Sequence, residues 1–246
     1  MLQNWLADAP GVGCSISVAE GPLAGRTIFA YAGNMGVAQG MGILMELAQR
    51  LRGRRDIGFL FVGRGSDAQR LREEAKTRGL DNVVFHDEID PTEIPGLYAQ
   101  CHVGVVALDP RHKTHNIPGK FLSYMQSGLP VLATINAGND LAELIQAERV
   151  GRVSTDHSVD TLQRLAEDLA RELAGDTNMS ARCRALSAKL FSPEAVVKQI
   201  TAALANRVDA TLDRHGLRPG DDEATSAINN IAACAGATGA RGLKGL

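Results

Sequence analysis

The chain predicts an α/β fold: a Rossmann-like, doubly wound parallel sheet of about six strands. Three observations lead there. Short β-rich runs alternate with amphipathic helical stretches from Thr27 to about residue 205. The run Ile57–Val62 reads IGFLFV, apolar throughout, as a strand covered on both faces must be. Gly and Pro cluster at the joints between runs, where turns and helix ends need them.

Thr27–Ala32 (TIFAYA) is the first strand, and Gly33-Asn34-Met35-Gly36 breaks it. Ile43, Leu44, Leu47 and Leu51 recur at helical spacing. Ile57–Val62 is the second strand. Ser66 with Gln69 three residues later has the capping-box pattern for the next helix, which stops at Gly79. Val83–Phe85 is a third strand. Asp90-Pro91-Thr92-Glu93 is a second capping box with Pro at the first helical position. His102–Leu108 is a fourth strand, a polar loop 109–117 follows, and Pro118 opens a helix. Leu129–Ala133 and Val150–Ser154 are the last two strands, with a helix Asn139–Ala147 between them. Leu162, Leu165, Leu169 and Leu173 mark a strongly amphipathic helix, and Ser180–Leu190 and Pro193–Ala205 read as two more. Residues 1–26 are punctuated by Gly and Pro and read as a connector. Residues 207–246, rich in Gly, Ala and Asp from 216 on, read as a tail without a packed core.

Composition excludes several classes. A formal net charge of −2 gives no electrostatic case for nucleic acid. Cys14, Cys101, Cys183 and Cys234 are far apart in sequence, so no CxxC metal or redox pair exists, and unpaired thiols suit a reducing compartment. No secretory leader and no apolar run of membrane-spanning length is evident. The expected location is the cytoplasm.

Right-handed crossovers put all strand C-termini on one sheet edge, and ligands bind outside that edge. The loop 33–42, GNMGVAQGMG, lets backbone approach a phosphate ahead of a helix N-terminus, although a plain tight turn explains it equally. It is not GxGxxG, and no acidic residue ends the second strand, so a nicotinamide-dependent dehydrogenase is disfavoured. Arg64, within Gly63-Arg64-Gly65, either meets a phosphate or pairs with Asp67. If Pro118 is the first helical residue, Ile117 occupies the capping position and cannot cap. The amides of Gly119, Lys120 and Phe121 then lack internal partners, and the Lys120 ammonium adds charge, which describes an anion site. A solvent-capped helix end is the alternative. Asp109, His112 and His115 share one loop without a second ligand cluster, so no metal is expected.

In order, "YAGNMGVAQGM", "DIGFLFVGRGSDAQRLREEA", "NVVFHDEIDPTEIPGLYAQCHVGVVAL" and "NIPGKFLSYMQSGLPVLATINAGNDLAELI" resemble the C-terminal, donor-binding half of GT-B glycosyltransferases. The likeness is to bacterial family-4 enzymes of surface polysaccharide and lipopolysaccharide biosynthesis, and it covers about residues 27–206. "LQNWLADA" resembles their interdomain connector.

The resemblance implies a UDP-sugar donor, an N-acetylated amino or deoxyamino hexose, and retaining transfer to a glycan or lipid-linked acceptor. No cofactor or metal is implied. Gly33, Asn34, Met35 and Gly36 would face the diphosphate. His86, Asp87, Glu88 and Ile89 would flank the base. Pro118, Gly119, Lys120 and Phe121 would face phosphate or sugar, as would Gly138, Asn139 and Asp140.

The chain departs from the pattern in two places. Asn34 and Gln39 stand where many relatives carry Arg and Lys, so phosphate charge falls to Lys120 and Arg64. His115 and Ser123 stand where a glutamate pair is usual, the second of which contacts ribose. The implied partner is an N-terminal acceptor domain, and membrane contact through that domain or its acceptor stays open. The competing expectation is a non-catalytic, nucleotide-binding subunit of a split transferase.

Overall fold

A computed structural model describes residues 13–111 and 117–190. The strands are β1 (Thr27–Ala32), β2 (Ile57–Val62), β3 (Val83–His86), β4 (Val103–Ala107), β5 (Val131–Thr134) and β6 (Gly151–Ser154). They form one sheet in the order β3-β2-β1-β4-β5-β6, with every registered pair parallel. The helices are α1 (Gly42–Arg50), α2 (Ala68–Thr77), α3 (Ile94–Tyr98), α4 (Gly119–Ser127), α5 (Asp140–Glu148), α6 (Val159–Gly175) and α7 (Met179–Leu190). The expected Rossmann-like fold is the observed one.

Strand alternation feeds two cores. Ile28, Ala30 and Ala32 of β1 pack with Leu97, Phe121, Tyr124, Ile145 and Cys183, so α3, α4, α5 and α7 cover that face. Phe29 and Tyr31 pack with Leu44, Leu47, Leu71, Leu162 and Leu169, under α1, α2 and α6. Phe29 and Phe59 rings lie 5.5 Å apart, and Phe61 and Phe85 rings 5.0 Å apart, which ties β1, β2 and β3 on this face.

The strand order reverses direction between β1 and β4, and there the sheet opens. β1 pairs β2 from Thr27↔Ile57 to Ala32↔Val62, but it pairs β4 only at Phe29↔Val103 and Ala30↔Gly104. Tyr124 of α4 fills the opening. Its hydroxyl lies 3.2 Å from the Ala30 carbonyl oxygen and 3.1 Å from that of Val105, sharing one proton between two strands. Its ring lies over Gly104, where a Cβ would stand 2.3 Å from Tyr124 Cγ.

Several local expectations need correction. Ser66 and Gln69 form no capping box: Asp67 is the N-cap of α2 and makes no side-chain cap, while Gln69 donates to Glu73. Asp90 does cap, accepting from the Thr92 amide at 2.9 Å, but Glu93 does not close the box. Its carboxylate instead accepts the Ser15 amide. The described part of the connector is not loose. Ile16, Val18 and Leu23 are buried, and the Gln100 amide group bonds both Val18 N and Ile16 O at 2.9 Å. Gly79 ends its helix as read, left-handed at φ 61°. The expected helix Pro193–Ala205 and the tail 207–246 lie outside the described residues.

Gly104→Ala forces a methyl into the fully buried Tyr124 ring. It should cost about 1–3 kcal/mol in urea unfolding, whereas Gly42→Ala, where a Cβ meets nothing within 4 Å, should cost far less.

Candidate functional site

The loops after β1, β2 and β3 continue the sheet as a stitched backbone platform. Gly33 N donates to Val62 O (2.9 Å), Met35 N to Arg64 O (2.7 Å) and Gly63 N to His86 O (3.1 Å). The approach is close enough to require glycine. At Gly63 and Gly65, with φ of 136° and 151°, a Cβ would stand 2.2 Å from Gly33 O and 2.3 Å from Met35 O. The rest of the first loop closes on itself. The Gln39 side-chain oxygen accepts from the Gly36 amide at 2.9 Å and from Asn34 Nδ2 at 3.4 Å. The loop then docks on the loop after β4, where Asp109 N donates to Ala38 O at 3.0 Å.

Facing this platform is the start of α4. Its N-cap is Pro118, one residue later than expected, and Pro118 has no side chain with which to cap. The Phe121 amide donates to Pro118 O at 2.9 Å, so it is not an open donor, and its ring is fully buried. The amides of Gly119 and Lys120 have no acceptor among the described residues.

Lys120 folds back over the crevice. Its Nζ lies 4.7 Å from the Tyr31 ring centroid and 3.0 Å from where a Cβ on Gly33 would stand. No carboxylate pairs with it among the described residues. Burial pushes its ammonium below the ordinary lysine range. Burial likewise raises the Tyr31 phenol, which stays neutral and donates to the Asn34 carbonyl.

The arginines at this edge are engaged with acids. Arg64 pairs with Glu88 at 2.9 Å, not with Asp67, which pairs with Arg70. Arg72 pairs with Asp87 at 2.7 Å, and Arg111 grips the buried Asp109 carboxylate with two nitrogens at 2.8 Å. Among the described residues no three His, Cys, Asp or Glu side chains are grouped to hold a metal.

The structure therefore brings Lys120, which follows Pro118 and Gly119, against Gly33, which Asn34 and Gly36 follow in the first loop. Met35 is fully buried, so only its backbone takes part. His86 ends β3, Asp87 and Glu88 lie on the loop after it, and Ile89 packs its side chain against the core. Ser123 lies on α4 with its hydroxyl 3.4 Å from the Gly119 carbonyl. His115 lies outside the described residues. Asn139 is occupied as the cap of α5, accepting from Leu141 N at 3.0 Å, and Asp140 and Glu143 place acids in that helix's first turn. These acids oppose an anion at this terminus, which otherwise has the right position. Nothing in TIFAYA, which looks like core throughout, marks Tyr31 as a site residue. Two concavities of about 490 and 460 Å³ lie at the other end of the sheet, around Arg149, Gly151 and Arg182 and around His102, Pro130 and Arg184, away from this crevice.

Residues 26–172 match the family described as Glycosyl transferases group 1. The chain belongs to that family. A stretch of 123 residues is 30% identical to the Escherichia coli (strain K12) protein named for colanic acid biosynthesis glycosyl transfer, WcaI, covering 49% of this chain and 30% of WcaI. The chain thus spans about a third of the curated relatives it matches. Among solved structures, Staphylococcus aureus TarM with UDP superposes with a TM-score of 0.58 at 16% identity, over 82% of this chain and 38% of TarM. Anabaena HepE with UDP gives 0.58 at 17% identity, over 75% of this chain and 50% of HepE. These likenesses show the fold, a GT-B-type Rossmann-like domain.

Because the charged form of Lys120 is the one that burial disfavours, Lys120→Met should raise the thermal midpoint near neutral pH. The folded-state pKa is depressed, so wild type recovers stability as pH rises through it and the gain of the variant shrinks. Melting both proteins at neutral and alkaline pH checks this; an equal gain at both would contradict it.

Proposed function

We propose that this chain is the donor-binding half of a retaining glycosyltransferase. It holds a UDP-sugar, an N-acetylated amino or deoxyamino hexose, for transfer to a glycan or lipid-linked acceptor in lipopolysaccharide or capsule assembly. The observation that carries the reading is Lys120: an ammonium without an acid partner among the described residues, aimed at Gly33 across a crevice that the uncapped start of α4 also faces. Departure of a nucleoside diphosphate builds negative charge at its β-phosphate. A fixed cation and two open amides stabilise that charge with little reorganisation. UDP in the TarM and HepE structures and colanic acid biosynthesis in the WcaI name support the choice of donor and setting.

In this reading no resident metal takes part, and an N-terminal domain supplies the acceptor. Transfer takes place in the cytoplasm, with membrane contact through that domain or a lipid-linked acceptor. Gly33, Asn34, Gly36, Gly119 and Lys120 face the diphosphate, and His86 to Ile89 flank the base through backbone groups. The self-closed polar groups of the first loop favour a second reading, a non-catalytic nucleotide-binding subunit of a split transferase. The two part on whether an N-terminal half restores transfer.

Calorimetric titration with UDP, with ADP and NAD as controls, tests donor binding. UDP alone should bind, and Lys120→Ala should weaken it about tenfold, ~1.4 kcal/mol. Unchanged affinity in the variant would remove Lys120 from the site. A folded chain that ignores UDP would contradict the donor reading.

A further inference from the structure

His157 is one of two non-glycine residues with positive φ among the described residues, at 51°. The other, Arg149, terminates α5. His157 terminates nothing: it sits between β6 and Ser158, the N-cap of α6. The turn around it is rigid. The Asp156 carboxylate accepts from Ser154 Oγ (2.6 Å), Ser158 N (3.0 Å) and Thr161 Oγ1 (2.8 Å). An L-residue in the left-handed region costs energy that the surroundings must offset.

What the strained backbone does is carry the imidazole sideways across the sheet edge. Its Nε2 lies 2.9 Å from Asn136 Oδ1, and its Nδ1 lies 3.4 Å from the buried Thr134 hydroxyl. One neutral tautomer meets both contacts: Nε2–H donates to Asn136, and the Thr134 hydroxyl donates to Nδ1. With its oxygen held, Asn136 turns its amide nitrogen toward the Asp109 carbonyl at 3.4 Å. The loops after β4, β5 and β6 are thereby joined by side chains, just as those after β1, β2 and β3 are joined by backbone. Beyond Asn136 the loop exposes Ala137 and Gly138, the latter left-handed at φ 78°.

We propose that His157 is a positioning residue that holds Asn136 and the backbone of residues 136–138 against the sugar end of a nucleotide-sugar. The inference rests on the donor reading above. Sheet order supplies the direction. A diphosphate at the β1–β4 crevice has β2 and β3 on one side, where the base lies in that reading, and β5 on the other. The next strand over is about 4.8 Å away, within the span of a hexose leaving the crevice. The group after the β-phosphate therefore meets the loop that follows β5.

The test uses the whole chain with His157→Gly and His157→Gln. Glycine keeps the left-handed backbone without strain and deletes the ring; glutamine carries an amide that can donate where Nε2 does. Hydrogen exchange of the unliganded protein should quicken across residues 136–140 in His157→Gly and return toward wild type in His157→Gln. Titrations should show UDP affinity within about twofold of wild type in both. Affinity for UDP-N-acetylglucosamine should fall about fivefold or more in His157→Gly and recover in His157→Gln. Unchanged exchange, or parallel loss of UDP and UDP-sugar, would overturn the positioning role. Quickened exchange in His157→Gly, with a wild-type chain that binds neither ligand, would overturn the donor reading and the sugar assignment together.

Discussion

The site depends on one opening in the sheet. β1 and β4 are the central strands, yet their ladder stops after Ala30↔Gly104, and the Tyr124 hydroxyl takes over the carbonyls of Ala30 and Val105. Unpaired carbonyls inside a core would be costly, so the strands can separate only if something hydrogen-bonds them where they part. Tyr124 does so from α4, the helix that also carries Lys120. The residue that opens the crevice and the residue that charges it are therefore fixed by one rigid element, and Gly104 is the space that lets that element seat.

Charge around the crevice follows a consistent logic. Arg64, Arg72 and Arg111 each face an acid, so their fields are local and screened. Lys120 lacks such a partner among the described residues and is partly desolvated, an arrangement that disfavours the empty, charged state. A bound phosphate would reverse that penalty. The start of α5 sharpens the contrast: the two helix starts lie on the same edge, yet Asn139 caps one and Asp140 and Glu143 make it acidic, while proline leaves the other uncapped.

Much of the fold was legible because it is written in short-range patterns. IGFLFV marks β2 to the residue, and the Leu162–Leu173 spacing marks α6. The uncapped start of α4 was legible in outline because a Pro-Gly-Lys start cannot cap itself. The helix starts one residue later than expected, since the sequence alone does not say whether proline is N-cap or first helical residue. What stayed hidden was tertiary. Tyr31 lies on an apolar strand and gave no sign that Lys120 would fold over it. Arg64 found Glu88, 24 positions along the chain, rather than its sequence neighbour Asp67. His157 and Asn136 meet only because β5 and β6 lie side by side.

The central claim is that the β1–β4 crevice, with Lys120 as its cation, receives a nucleoside diphosphate. Backbone amide NMR shifts of the labelled chain, titrated with UDP, test it most directly. The account predicts concentrated, saturable shifts at Gly33, Asn34, Gly119 and Lys120, with smaller ones at His86 to Ile89. Shifts confined to the opposite sheet edge, around Arg149, Arg182 and Arg184, would contradict it.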